Sequence, residues 1–235
     1  MNDIDRSWSD FYKFSGISQI LAAIFFVIGI VLLIYIEKIL GTSTDRLEML
    51  AKHKFLFQLG NGSCILADIF GILGILGVYL SLYKLKKSLV LAMASLQILG
   101  AVLAIGLRFG VHAEIELAIN YVKAASESVQ INYVAAANVI QGVSDIGLSL
   151  ANLLLCVGGL IGGVAMLAGV FSKKIAYLYI ISGFLGIVGF IGVVFTQAFV
   201  PIILLSCIVT IISMILVGFR LYAIGKNINL QQEAI

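Results

Sequence analysis

Six long apolar runs dominate this sequence and limit what the chain can fold into. A helix needs about 20 residues to cross the ~30 Å hydrocarbon core of a bilayer, and every run reaches that length. In lipid, each backbone N–H and C=O must find a partner within its own segment, which makes each run a helix. The runs cover residues 14–36, 56–83, 88–111, 139–171, 175–199 and 201–224. We therefore predict an all-α integral membrane fold, a six-transmembrane-helix bundle that forms one domain over residues 1–235.

The composition agrees with lipid as the solvent. Apolar residues make up 61% of the chain and charged residues 11%, whereas soluble domains carry about 25% charged residues. One soluble core in a chain of 235 residues could not bury so much apolar surface. The net charge of +3 is small and its basic residues are scattered, which argues against a nucleic-acid-binding surface. The expected partner is the lipid bilayer, together with other membrane subunits or a second copy of the chain.

Motifs for catalysis and for phosphate binding are missing from the sequence. It has no Walker-type loop, no HExxH and no GxSxG. The cysteines Cys64, Cys156 and Cys207 lie inside apolar runs, at spacings that match no zinc or redox motif. We expect these three thiols to be buried, and we expect neither a cofactor nor a metal site. The sequence favours a protein without enzymatic activity.

The distribution of Lys and Arg sets the expected orientation, because cytoplasmic loops carry an excess of these residues. The N-terminus, the turns 84–87 and 172–174, and the C-terminal flank all fall on one side of a six-helix chain. They hold nine of the 15 basic residues, and the other six sit among acids or in longer loops. We predict a multi-pass protein of the plasma (inner) membrane with both termini in the cytoplasm. No cleavable signal peptide is recognisable, so the first helix is expected to insert as an uncleaved anchor.

The first and third connections, which face outward in this orientation, have helical patterns of their own. In residues 44–54, Asp45 precedes Glu48 by three positions, as at the start of a capped helix. Residues 113–130 place apolar side chains at helical spacing, with the acids mostly elsewhere. We predict a short amphipathic helix in each of these connections.

Glycine recurs at helical spacing in three of the runs. Small residues let helices approach closely in lipid, where no hydrophobic effect drives them together. Two readings stay open: packing within one bundle, or homodimerisation through the two GxxxG pairs of the fourth helix. The glycines in question are Gly71, Gly74 and Gly77 in the second helix, Gly158, Gly159, Gly162 and Gly163 in the fourth, and Gly183, Gly186, Gly189 and Gly192 in the fifth.

Polar side chains enter the membrane in the outer half of the second, third and fourth helices. Counting from the basic turns places Asp68 about 6 Å inside the outer boundary and Arg108 near that boundary. We predict that the two form an ion pair. A network that joins helices, a binding pocket or ion path that opens outward, and a catalytic acid are the alternative roles. The other candidates are Gln58 and Asn61 on the second helix, with Asn138, Gln141, Asp145 and Asn152 along the fourth.

The two histidines, His53 and His112, fall at the outer ends of the second and third helices. Shared ligation of a metal or haem is one interpretation, and two interfacial histidines that face water is the default one.

Several short segments resemble a known family. Residues 55–60 (FLFQLG), Ala67-Asp68, residues 78–80 (VYL), residues 171–174 (FSKK) and residues 181–186 (ISGFLG) are similar to a prokaryotic six-helix membrane family, domain of unknown function 4386. The likeness covers most of the chain, although this sequence lacks the proline of that family after the fourth helix. The resemblance implies the topology and carries no assigned activity.

The expected function is therefore that of an accessory or structural subunit of a membrane complex, or of a self-associating bundle. The first alternative is a small transporter or ligand-binding protein with an outward-facing polar pocket. The second alternative is a membrane redox subunit that uses His53 and His112.

Overall fold

A computed structural model describes residues 6–40 and 46–233 of the chain. Its helices are α1 (Ser9–Leu40), α2 (Arg46–Lys52), α3 (Lys54–Leu82), α4 (Lys87–Lys123), α5 (Glu127–Met166), α6 (Lys173–Phe195) and α7 (Val200–Glu233), with 3-10 turns at Arg6–Trp8 and Gln197–Phe199. Six of these helices are long and apolar enough to cross a membrane, which confirms the predicted all-α fold with six such helices. The short helix α2 lies in the first connection, as expected, while Asp45 lies outside the described residues.

The six long helices form a closed ring in chain order. Each one packs against the next, from α1 to α3 and onward to α7, and α7 packs back against α1. Glycines allow this last contact, because a Cβ added to Gly16 would lie 2.6 Å from the carbonyl oxygen of Gly218. All six helices therefore face one central axis.

The two ends of the ring differ in their chemistry. At one end, Tyr12, Leu82, Val90, Phe171 and Ile228 belong to one buried apolar cluster drawn from helix ends next to the lysine-bearing turns. We call this the basic end. It holds the described parts of the four segments rich in Lys and Arg that were predicted to lie on one side of the membrane.

At the other end, which we call the α2 end, Leu47 and Leu50 of α2 are buried against Ile36, Phe57 and Ile115. The short helix thus covers the ends of α1, α3 and α4.

The predicted separate surface helix at 113–130 is wrong. The helix α4 continues without a break to Lys123, and α5 begins at Glu127 after a three-residue turn. The reason is that Ile115 and Ala118 continue a buried face of α4, so their spacing extends that helix instead of starting another. At 37 and 40 residues, α4 and α5 are about 55 and 60 Å long, which exceeds the ~30 Å thickness of a hydrocarbon core.

The glycine faces of α5 are occupied by neighbouring helices of the same chain. A Cβ added to Gly158 would lie 3.1 Å from the carbonyl oxygen of Met93 in α4, and one added to Gly163 would lie 2.9 Å from that of Ala176 in α6. Gly162 likewise abuts the side chain of Met93. The described helices of one chain therefore use both GxxxG pairs for packing within the bundle.

Candidate functional site

A cavity of about 160 Å³ lies on the axis of the ring. Every long helix contributes polar lining: Gln19 of α1, Asp68 of α3, Arg108 of α4, Asn152 of α5, Ser182 of α6 and Ser206 of α7. Along α4 the lining runs from Gln97 to Arg108, a distance of about 16 Å at 1.5 Å per residue.

A loose ion pair lies in the wall of this cavity. The Nε of Arg108 is 3.5 Å from the Oδ2 of Asp68, and the two side chains are 12% and 17% exposed. Neither of these two atoms has a hydrogen-bond partner among the described residues. Asp68 is the central residue of α3, between Lys54 and Leu82, so the pair lies at the middle of that helix. The two charges offset each other, yet both groups keep hydrogen-bonding capacity.

A second unsatisfied polar group belongs to Gln19. Its side chain is buried, at 2% exposure, and its Oε1 has no hydrogen-bond partner in the described part of the chain. The carboxamide lies directly against Gly74 of α3, where the missing side chain leaves room for it. An unmet buried acceptor of this kind costs about 1–3 kcal/mol.

Gln97 of α4 is also buried in the wall, and its Nε2 would lie 3.6 Å from a Cβ added to Gly159. Neither glutamine is among the residues predicted from the sequence. The available signal was an amide in the middle of an apolar run, but the sequence did not show that these faces of α1 and α4 turn towards one axis.

The hydroxyl groups of the three serines in the wall are satisfied by the backbone. Ser206 donates to the carbonyl oxygen of Ser182 at 2.8 Å, Ser182 donates to that of Tyr179 at 3.0 Å, and Ser213 donates to that of Thr210 at 2.8 Å. Among the described residues that line the cavity, the buried side-chain atoms without a hydrogen-bond partner belong to Asp68, Arg108 and Gln19.

The structure brings together only part of the predicted polar set. Asp68, Arg108 and Asn152 line the cavity, whereas Gln58 and Asp145 are exposed and lie elsewhere. Asn61 is buried, but its Nδ2 donates to the carbonyl oxygen of Phe57 one turn earlier, at 3.1 Å.

A smaller cavity of about 120 Å³ lies near the α2 end, where Asn138 and Gln141 of α5 line it together with Arg46 and Glu114. An Nη2 atom of Arg46 is 3.4 Å from Oε1 of Glu114, which ties α2 to α4.

The two histidines lie outside the central cavity. His53 occupies the turn between α2 and α3, and His112 is exposed on α4 beside the ring of Phe109. Within residues 6–40 and 46–233, no group of three or more His, Cys, Asp or Glu side chains is arranged to hold a metal ion.

Comparison with known protein-family models, with curated proteins and with solved structures gives no match for this chain. The resemblance to domain of unknown function 4386 stays a prediction.

Proposed function

We propose that this chain is a multi-pass membrane protein that binds a small polar solute inside the helix ring, as a small transporter or ligand-binding protein does. The basic end faces the cytoplasm in this proposal, and the α2 end faces outward across the plasma (inner) membrane. The charge distribution supports that orientation, since lysine-bearing turns favour the cytoplasmic side.

The observation that carries the proposal is the coincidence of a cavity with unmet polar groups. Polar and charged side chains at membrane depth are costly and usually pair with one another or line a cavity. If Asp68, Arg108 and Gln19 served only to join helices, their side chains would be hydrogen-bonded across the ring. Instead, Oδ2 and Nε only face each other at 3.5 Å, and these two atoms and Oε1 lack hydrogen-bond partners among the described residues. All three residues line the cavity. A bound polar molecule would offer hydrogen-bond partners to the exposed part of the Asp68 and Arg108 side chains.

The alternative of an accessory subunit or a self-associating bundle has one observation in its favour. Val139, Val143 and Ile146 form an exposed apolar stripe on α5, with Ile146 76% exposed. A second subunit could cover this stripe where it rises above the hydrocarbon. The stripe contains none of the paired glycines of α5, so self-association there would differ from the GxxxG contact that the sequence indicated.

A cavity-filling substitution tests the binding proposal. No described atom lies within 4 Å of a Cβ added to Gly71, and Gly71 lines the cavity. A Cβ at position 71 therefore has room, and we expect the longer side chain of Gly71→Leu to occupy part of the cavity. Gly62→Leu is the matched control, because Gly62 is on the same helix, has the same open surroundings and does not line the cavity.

The measurement is native mass spectrometry of protein released from lipid nanodiscs, after incubation with a mixture of small amino acids, carboxylic acids, amines, amides and sugars. We expect a bound solute on the wild type and on Gly62→Leu, and none on Gly71→Leu. A wild type without any adduct, or an adduct retained by Gly71→Leu, would contradict the proposal. Dimer masses in the same spectra would favour self-association.

A further inference from the structure

The charges around the central cavity balance. Among the charged residues in the described part of the chain, only Asp68 and Arg108 line it, one negative and one positive. Both side chains are largely buried, and a net charge in surroundings of low dielectric constant is costly unless it is paired. A ligand with a net charge would leave this cavity unbalanced, whereas a ligand without one would not.

The two charged groups are also neighbours in space. The Arg108 Nε and the Asp68 Oδ2 are 3.5 Å apart, which is longer than the 2.7–2.9 Å range typical of strong charge-assisted hydrogen bonds. A guanidinium has five N–H donors, and a carboxylate has two acceptor oxygens. Each group can thus hold a ligand group of opposite charge while the pair itself stays in contact.

An α-amino acid has the matching arrangement. Its ammonium and carboxylate are attached to one carbon, so the two charges are as close together as those of Asp68 and Arg108. Arginine suits a carboxylate because its planar fork can bind both oxygens. The cavity of about 160 Å³ leaves room for only a short side chain beyond these two groups.

We propose that the cavity binds a small zwitterionic α-amino acid, with the ligand carboxylate on Arg108 and the ligand ammonium on Asp68. This inference rests on the proposed function and names its ligand class. The pair then acts as a selectivity device: it accepts two adjacent opposite charges and disfavours a molecule that carries only one of them.

Four probes with the same four-carbon skeleton test the ligand class: 2-aminobutyrate (zwitterion), butyrate (anion), butylamine (cation) and butyramide (neutral amide). The measurement is the Tm of the purified full chain in detergent at increasing probe concentration, since a ligand that binds only the folded state raises Tm. For the wild type we expect 2-aminobutyrate to bind at least tenfold tighter than each of the other three.

Single substitutions should change the preferred class. Arg108→Gln leaves Asp68 as the only lining charge, so butylamine should become the tightest probe. Asp68→Asn leaves Arg108, so butyrate should become the tightest. Gly71→Leu keeps both charges and should lose the response to every probe, while Gly62→Leu, outside the cavity, should keep the wild-type order.

The wild-type panel decides the inference even if a charge variant fails to fold. It is overturned if butyrate, butylamine or butyramide binds as tightly as 2-aminobutyrate, or if 2-aminobutyrate leaves Tm unchanged. If another solute still binds the wild type and is lost in Gly71→Leu, the binding function stands and only the ligand class is wrong. If no solute distinguishes these two proteins, the binding function itself fails.

Discussion

The hydroxyl group of Ser206 in α7 donates a hydrogen bond to the carbonyl oxygen of Ser182 in α6, with an O···O distance of 2.8 Å. It joins two neighbouring helices beside the cavity, at a point where both residues are buried. Ser213 lies on the same helix and is equally buried, but it donates to Thr210, within its own turn. Two serines in similar surroundings thus have different roles: one links helices and the other does not.

Ser206→Ala should therefore destabilise the bundle more than Ser213→Ala. Interhelical hydrogen bonds in membrane proteins contribute about 0.6 kcal/mol on average and up to about 1.7 kcal/mol, so we expect Ser206→Ala to cost about 1 kcal/mol. Ser213→Ala removes a bond within one helix and should change the free energy of unfolding by less than about 0.5 kcal/mol. Unfolding of both variants in mixed micelles with increasing SDS measures the difference. Equal losses would show that the Ser206 contact contributes nothing specific.

The Asp68–Arg108 pair should show strong coupling between its two members. Asp68→Asn alone leaves a buried guanidinium without its counter-charge, and Arg108→Gln alone leaves a buried carboxylate. Removal of one partner of a buried pair costs about 3–5 kcal/mol. The double variant removes both charges and should be more stable than either single variant. A double-mutant cycle from the same SDS titrations measures this coupling, and strictly additive losses would exclude an energetic pair.

Part of this structure could be predicted from the sequence because the rule involved is local. A run of apolar residues that is long enough to cross lipid has to become a helix, and the described residues contain six helices of this length and composition. The approach of Arg108 to Asp68 follows from counting residues away from the basic turn between α3 and α4, since α3 ends at this turn, α4 begins there and the two helices run in opposite directions.

The cavity could not be predicted, because it depends on how each helix is rotated about its axis. In the runs that hold Gln19 and Gln97, most faces are apolar, so no alternation of polar and apolar residues shows which face turns inward. Asn61 illustrates the opposite error: a polar residue on the expected face is satisfied by Phe57 of its own helix. The C-terminal end of α4 was predicted too early in the sequence, at Val111. The residues after Val111 continue a buried face of the helix, and no Gly or Pro lies between Val111 and Lys123 to end it.

Close glycine contacts should make Gly183 intolerant of any larger side chain. A Cβ added there would lie 2.6 Å from the carbonyl oxygen of Cys156 and 2.7 Å from the backbone nitrogen of Leu160. Gly183→Val should therefore push α6 away from α5 and lower the free energy of unfolding by about 1–3 kcal/mol or more. The matched control is Gly106→Val on α4, where no described atom is within 4 Å. Its Tm in detergent should stay near that of the wild type, and equal losses in both variants would contradict the packing described for α5 and α6.

The ion pair between Arg46 and Glu114 should control how firmly α2 covers its end of the ring. The helix has seven residues, too few to be stable alone, so its order depends on the buried Leu47 and Leu50 and on this pair. Glu114 is 6% exposed and Arg46 30% exposed; Glu114→Gln keeps the shape of the acid and removes its charge. We expect the free energy of local opening of α2 to fall by about 1 kcal/mol. Hydrogen exchange should then become roughly fivefold faster at the backbone amides of Leu50 and His53. The His53 amide donates to the carbonyl oxygen of Met49 and therefore reports on the end of α2. Glu116→Gln on the exposed side of α4 should leave these rates unchanged. Unchanged exchange in Glu114→Gln would mean that the two leucines alone hold α2 in place.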